Sequence, residues 1–90
     1  MGLIVQKYGG TSVGSVQKIQ AVADRVVRFR SEGHQVLVVL SAMSGETNRL
    51  LSMGREIGGE TVSRREMDVL AASGEQVSIA LLSMALQQRG

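Results

Sequence analysis

A lysine followed by two glycines and two hydroxyl residues occurs near the start of the chain, in the segment from Lys7 to Ser12. Glycines let the backbone approach an anion, and a helix that starts after them offers unpaired N–H groups and the positive end of its dipole. A lysine adds a compact charge that can reach phosphate oxygens. The segment therefore suits a phosphate site, although it matches neither G-x-x-x-x-G-K nor G-x-G-x-x-G. A glycine turn with a hydroxyl helix cap explains the same residues equally well.

Three further polar residues could face a ligand, and each also has an ordinary structural explanation. Ser41 follows an apolar run, where a loop hydroxyl commonly satisfies nearby backbone groups. Thr47 is suited to cap a helix, and Glu75 could stabilise a helix start through the macrodipole. From the residues alone, the structural explanations are preferred for Ser41 and Glu75. The single histidine, His34, has no second ligand in view, so no metal site is expected.

The apolar pattern predicts a strand, a glycine turn, a helix and a second strand. The strands are expected at residues 3 to 7 and 35 to 40, and the helix at 14 to 31, where apolar residues recur three and four positions apart. The second strand is almost continuously apolar, which is typical of a parallel strand buried on both faces. This order predicts a right-handed βαβ unit and an α/β fold.

Two more helices are predicted in the second half of the chain. The first covers about residues 47 to 57 and ends at Gly58 and Gly59. The second covers about 64 to 88 and is apolar around much of its circumference, which predicts burial on several sides. Ser73 followed by Gln76 has the spacing of a capping box, so a joint is expected at residues 73 and 74. Residues 1 to 90 are expected to form one unit with no second domain, and the pattern near Gly90 indicates that a further strand follows.

Composition narrows the class of protein. The chain is 43% hydrophobic and 20% charged, as soluble globular domains are. A net charge of +2 and two aromatic residues are a poor signature for nucleic-acid binding, and we expect Arg25, Arg28 and Arg30 to form a solvated face. The absence of cysteine excludes disulfides and thiolate metal sites. With no basic leader and no apolar stretch approaching the ~18 residues of a membrane span, we predict a cytoplasmic protein with no membrane partner.

Three longer motifs resemble the aspartokinase family. They are Lys-Tyr-Gly-Gly-Thr-Ser-Val at 7 to 13, Ser-Ala-Met-Ser-Gly-Glu-Thr-Asn at 41 to 48, and Met-Asp-Val-Leu-Ala-Ala-Ser-Gly-Glu-Gln-Val-Ser at 67 to 78. Their order and spacing are those of the family, and the resemblance covers nearly the whole chain. It implies the amino-acid kinase fold, an α/β/α sandwich of which this chain would be the N-terminal part. It also implies transfer of the γ-phosphoryl group of ATP to the side-chain carboxylate of L-aspartate. The product would be 4-phospho-L-aspartate, for lysine, threonine and methionine synthesis.

The resemblance also implies roles for individual residues. The catalytic residues would be Lys7, which holds the transferring phosphate, and Glu75, which pairs with the α-ammonium group of aspartate. The nucleotide-binding residues would be Lys7, Tyr8, Gly9, Gly10 and Ser41, and the substrate-binding residues would be Ser41, Gly45, Glu46, Thr47 and Glu75. Mg²⁺ would arrive with ATP rather than in a protein metal site. The adenine and ribose contacts would lie beyond Gly90, so the 90-residue chain would be inactive alone.

Two other functions remain open at this point. One is a non-catalytic anion-binding or assembly module that keeps the kinase scaffold. The other is a kinase of the same fold that acts on another carboxylate such as glutamate, although the strings at 41 to 48 and 73 to 76 favour aspartate. The expected partners are L-aspartate and ATP, together with further copies of the chain or the rest of a longer kinase polypeptide.

Overall fold

A parallel pair of strands joined by a helix forms the N-terminal half of the chain. The computed structural model describes residues 2–90. Strand β1 covers Leu3–Tyr8, a 3-10 turn covers Gly10–Val13, helix α1 covers Val16–Ser31, and strand β2 covers Gln35–Leu40. The strands pair in parallel, with Leu3 opposite Gln35 and Tyr8 opposite Leu40. The predicted parallel β-α-β arrangement is therefore confirmed.

Helix α1 begins two residues later than predicted because Ser15 caps it. The Ser15 hydroxyl accepts a hydrogen bond from the backbone N–H of Lys18 at 3.2 Å, which satisfies one of the unpaired donors of the first turn. One stripe of the helix is buried, formed by Ile19, Val22, Ala23 and Val26. The three- and four-residue spacing of these side chains places them on the face that packs against the core.

Two helices form the second half of the chain. Helix α2 covers Glu46–Gly58, a 3-10 turn covers Gly59–Thr61, and helix α3 covers Arg64–Gln88. The predicted joint at residues 73 and 74 is wrong, because α3 is continuous through them. The Ser73 hydroxyl donates a hydrogen bond back to the carbonyl of Leu70 at 2.7 Å, so it bonds within the helix instead of capping a new one.

The core lies between the inner face of the sheet and helices α1 and α3. Its buried residues are Tyr8, Val13, Ile19, Val22, Ala23, Val26, Leu40, Leu82 and Ala85. Arg89, at the end of α3, donates from Nε to the Asp24 carboxylate of α1 at 2.7 Å. The carbonyl of Ala85 accepts a second bond from the same guanidinium at 2.8 Å. These contacts hold the C-terminal end of α3 against α1.

The outer face of the sheet is open. Leu3, Val5, Leu37 and Val39 are between 45% and 65% exposed, so the expectation that β2 is buried on both faces is wrong for this chain. Helix α3 likewise buries one stripe rather than several sides, since Val69, Val77, Ile79 and Met84 are between 47% and 59% exposed. The structure thus buries one side of the sheet and one side of α3, and it leaves an apolar side of each uncovered.

Helix α3 is also long and apolar enough, by length and composition, to cross a membrane. An 18-residue window of it has a mean hydropathy of 1.5, in contrast to our expectation that no apolar stretch approaches that length. Only 22% of the window is buried, and the helix packs against both α1 and α2. The core helix of a soluble protein passes the same test, so this single helix is weak evidence for a membrane span.

Candidate active site

The carboxyl ends of the two parallel strands lie side by side, and the segments that follow them are joined by hydrogen bonds. The backbone N–H of Ser41 donates to the carbonyl of Tyr8 at 3.1 Å, and that of Ser44 donates to the carbonyl of Gly10 at 3.1 Å. The glycine segment after β1 and the loop after β2 therefore form one unit. In open α/β sheets, this edge is where ligands bind.

Gly10 makes the close approach of these two segments possible. A Cβ atom on Gly10 would lie 3.0 Å from the carbonyl oxygen of Ala42 and 3.5 Å from the Cα of Ser44. Both neighbours are backbone atoms, which cannot swing aside as a side chain can. A larger residue at position 10 would therefore push the two segments apart.

An open cleft of about 440 Å³ lies at this edge of the sheet. Residues from all three motifs line it: Gly10, Thr11, Ser41, Ala42, Met43, Ser44, Gly45, Thr47, Asn48 and Glu75. The structure thus brings together Gly10, Ser41, Gly45, Thr47 and Glu75, which the sequence analysis had named as site residues. We call this the motif cleft.

Helix α2 starts at the motif cleft, and its cap differs from the one considered in the sequence analysis. The residue before the helix is Gly45, which has a φ of 79° in the left-handed region that glycine adopts readily. Thr47 is therefore the second helical residue and not the cap. Within residues 2–90 its hydroxyl makes no hydrogen bond, so it is available to a ligand in the cleft.

Glu75 lies in the interior of helix α3, about three turns from either end. The macrodipole acts only within the first and last turns, so it gives no reason for an acidic residue at this position. The Glu75 side chain is exposed and borders the motif cleft, and it has no ion-pair partner in the described part of the chain. The helix-dipole explanation preferred from sequence is therefore wrong for Glu75, and its carboxylate is accessible at the edge of the cleft.

A family model described as the amino acid kinase family matches residues 2–90. The chain belongs to the amino acid kinase family. It is 59% identical over 91 residues to an aspartate kinase of Pseudomonas fluorescens (strain SBW25), and 59% identical over 90 residues to aspartokinase 2 of Bacillus subtilis (strain 168). In both cases all of this chain is covered but only 22% of the relative.

Solved structures agree with the assignment to the amino acid kinase family. The crystal structure of aspartate kinase from Synechocystis superimposes with a TM-score of 0.90 at 55% identity, over 96% of this chain and 14% of that one. E. coli aspartokinase III, solved in complex with aspartate and ADP, superimposes with a TM-score of 0.75 at 23% identity, over 97% of this chain and 29% of that one. The second likeness shows the fold alone. The chain therefore corresponds to a minor part of these longer amino acid kinases.

Three of the predicted nucleotide-binding residues of this amino acid kinase chain do not line the motif cleft. Lys7 is exposed on the outer face of β1, opposite Val39 of β2. Tyr8 is buried in the core, and its hydroxyl donates to Gln6 Oε1 at 2.7 Å. Gly9 is exposed at the end of the strand, before the 3-10 turn. Lys7 and Gly9 thus adjoin the cleft along the chain but do not form its wall.

Glu46 is paired with Arg49 of the same helix and does not line the motif cleft. The Arg49 Nε donates to Glu46 Oε2 at 3.0 Å, and Nη2 bonds to the other carboxylate oxygen. The hydrogen bond from Arg49 lowers the pKa of the Glu46 carboxyl from its usual value, and the charge of Arg49 acts in the same direction. The Glu46 carboxylate therefore already has a structural partner in Arg49.

Five residues of the cleft wall were not among the site residues predicted from sequence: Thr11, Ala42, Met43, Ser44 and Asn48. All five lie inside the motifs that were quoted, so the motif strings were the available signal. Thr11 and Asn48 add a hydroxyl and an amide to the polar groups of Ser41 and Thr47. Among residues 2–90, no group of three or more His, Cys, Asp or Glu side chains could hold a metal ion. The wall is therefore rich in neutral hydrogen-bonding groups and carries one carboxylate.

Proposed function

We propose that this chain forms the N-terminal part of the catalytic domain of an aspartate kinase. That enzyme transfers the γ-phosphoryl group of ATP to the side-chain carboxylate of L-aspartate and produces 4-phospho-L-aspartate and ADP, a step toward lysine, threonine and methionine. The observation that carries the proposal is the convergence of the three motifs on one cleft. The high identity to aspartate kinases over the whole chain supports the same substrate.

The chemistry of the acceptor fits the residues of the motif cleft. An aspartate side chain has an ordinary pKa near ~3.9, so it is already ionised at neutral pH and requires no general base. Its carboxylate oxygen attacks the γ-phosphorus while the bond to the β-γ bridging oxygen breaks, and ADP leaves with that electron pair. Catalysis of this kind depends on positioning and on neutralising the developing charge. A wall of hydroxyls, an amide and glycine backbone can position the reactants without proton transfer.

Separate groups of the cleft would recognise the two ends of the amino acid. The Glu75 carboxylate is suited to the α-ammonium group, because it is accessible and has no partner among the described residues. The Thr47 hydroxyl and the unpaired N–H groups at the start of α2 are suited to a substrate carboxylate. This arrangement discriminates an amino acid from a simple dicarboxylic acid.

Lys7 and the glycine segment would act on the nucleotide phosphates. Lys7 lies next to the strand end, and its flexible stem allows the ammonium group to reach a phosphate held over Gly9 and Gly10. Mg²⁺, when bound with ATP, would neutralise the phosphate oxygens. Since no cluster of acidic side chains is present among residues 2–90, the ion would take its ligands from the nucleotide and from water rather than from a protein metal site. A cytoplasmic location and assembly into a homo-oligomer belong to the same proposal.

The proposal is tested by assaying a full-length polypeptide that begins with this segment for ATP-dependent acyl phosphate formation, trapped with hydroxylamine. L-aspartate should give product, whereas L-glutamate and succinate should give little. Preference for L-glutamate would identify a kinase of the same fold with another substrate. Failure of every carboxylate to react would favour a non-catalytic module that keeps the scaffold.

A further inference from the structure

A second cleft, of about 400 Å³, lies between the glycine segment and helix α1. It is lined by Tyr8, Thr11, Ser12, Lys18, Ala21, Val22 and Arg25. Within residues 2–90, Thr11 alone lines both clefts, and of the other residues of the second cleft only Tyr8 was predicted to bind the nucleotide. We call it the α1 cleft.

Two cationic side chains of α1 face this cleft. Lys18 and Arg25 are seven residues apart, which on a helix is two turns along the same face and ~10 Å between Cα atoms. The Lys18 Nζ donates to the carbonyl of Thr11 at 2.9 Å, so the ammonium group is held at the cleft and keeps two further donors. Arg25 has neither a hydrogen-bond nor an ion-pair partner in the part of the chain that the structure describes. Both charges are therefore available to an anion.

In the part of the chain that the structure describes, no acidic residue lines the α1 cleft. The one acidic residue of helix α1, Asp24, is paired with Arg89 on the side that faces α3. Arg25, Arg28 and Arg30 are all exposed, as predicted for a solvated face, but Arg28 and Arg30 do not line the cleft. The result is a concave surface with two positive charges and no opposing charge.

We propose that the α1 cleft binds a small anion that carries two phosphate groups. Two cations separated by two helical turns match two anionic groups better than one, and an arginine fork can bind a phosphate through two hydrogen bonds. The hydroxyls of Thr11 and Ser12 add donors, and the cleft volume lies within the range of small-molecule sites. Because Thr11 borders both clefts, an anion bound here is in contact with the segment that would handle the transferring phosphate.

The test is a calorimetric titration of a full-length polypeptide that begins with this segment, with inorganic pyrophosphate as the probe. Replacing both cations, Lys18→Gln with Arg25→Gln, should lower the pyrophosphate affinity at least about ten-fold, because two charge-assisted contacts are lost. Arg30→Gln is the matched control, since it removes one exposed charge from the same helix outside the cleft. It should change the affinity less than about two-fold. Arg25→Gln alone should give an intermediate loss and provides a second variant.

Two results would overturn the proposal. One is an equal pyrophosphate affinity in the wild type and the double variant, which would indicate that the probe binds elsewhere. An equal loss of affinity in the Arg30→Gln control would likewise count against the cleft, because it would indicate a general effect of the net charge of the protein. The other is a rise in the KM for ATP that parallels the loss of pyrophosphate affinity, since the probe would then occupy the nucleotide site. The titration requires no turnover. If the wild-type polypeptide bound pyrophosphate but had no kinase activity, and the double variant lost that binding, this proposal would stand and the proposed function would be rejected.

Discussion

Gly74 of helix α3 lies against Ala42 of the loop after β2, so closely that a Cβ atom on Gly74 would be 3.0 Å from the Cβ of Ala42. The same position would be 3.5 Å from Leu50 Cδ1 and 3.7 Å from Glu46 Cγ, both on helix α2. Helix α3 thus meets the loop and α2 at a residue without a side chain. Because Glu75 follows Gly74 directly, this contact decides where its carboxylate lies relative to the motif cleft.

Gly74→Ala should therefore raise the KM for aspartate more than the KM for ATP. The added methyl group forces α3 away from Ala42, and overpacking of this kind costs ~1 to 3 kcal/mol, partly offset by ~1 kcal/mol from the better helix propensity of alanine. Steady-state kinetics and a thermal melt would measure both effects. Gly54→Ala on α2 is the control, since its Cβ would meet the Sδ of Met67 at 2.6 Å and a flexible methionine can move. Equal KM shifts for both substrates would contradict the positioning role of Gly74.

Replacing Glu75 by glutamine should weaken the use of aspartate. The change keeps the size of the side chain but removes the charge that the α-ammonium group would meet. A charge-assisted hydrogen bond contributes ~1.5 to 3 kcal/mol, so kcat/KM for aspartate should fall about ten-fold to somewhat over a hundred-fold. The KM for ATP should change little.

The matched control for this variant is Glu66→Gln, in the first turn of the same helix. There a carboxylate does interact with the macrodipole, so the free energy of unfolding should fall by ~0.3 to 1 kcal/mol with normal kinetics. Glu75→Gln should show the opposite pattern. An unchanged KM for aspartate together with a lowered melting temperature would remove Glu75 from the site.

Lys7→Ala should lower kcat more than it raises the KM for aspartate. The charge of Lys7 would matter most as negative charge redistributes on the transferring phosphoryl group. Lys7→Met should behave in the same way, because it keeps an apolar stem on the exposed strand face but removes the charge. Stopped-time product assays at saturating aspartate and ATP would measure kcat. An unchanged kcat in both variants would leave Lys7 as a strand-end residue only.

The 90-residue chain by itself should phosphorylate no aspartate. It covers only 22% of the length of the aspartate kinases it matches, and its cleft is open on one side. Purified chain with ATP, Mg²⁺ and aspartate should give product no faster than a mixture without protein. Turnover above that background would show that these residues complete the site.

The ion pair between Glu46 and Arg49 should make stability depend on pH in the acidic range. The pKa of the Glu46 carboxyl is lowered in the folded chain, so its contribution is present above the unfolded pKa, about 4.5, and is lost as the pH falls through the folded value. The difference in melting temperature between the wild type and Arg49→Gln should therefore be largest near neutral pH and disappear in acid. The effect should be small because the pair is exposed to solvent. A difference that persists unchanged at low pH would assign it to packing of the Arg49 stem.

The parallel pairing of β1 and β2 was predicted correctly from the strand, helix, strand order and the helical spacing of α1, whereas the burial of β2 on both faces was not. The membership of Gly10, Ser41, Thr47 and Glu75 in one cleft was implied only by the resemblance to the aspartokinase family, since the residues alone favoured structural roles for Ser41 and Glu75. Gly10 and Ser41 meet because the carboxyl ends of parallel strands share an edge, whereas Glu75 reaches the cleft through the packing of α3.

Only the tertiary structure decided which of several local helix-capping preferences is adopted in the folded chain. The capping-box spacing at Ser73 and the helix-cap chemistry of Thr47 are real local preferences, but both were overruled. Gly74 packs against Ala42 within a continuous helix, and Gly45 caps α2 with a positive φ. Likewise, Arg25 lines a cleft and the other arginines of α1 do not. This difference could not be predicted from the sequence, because it depends on where the glycine segment packs against α1. Local signals differ by only about 1 kcal/mol, so contacts between residues distant in sequence determine which one prevails.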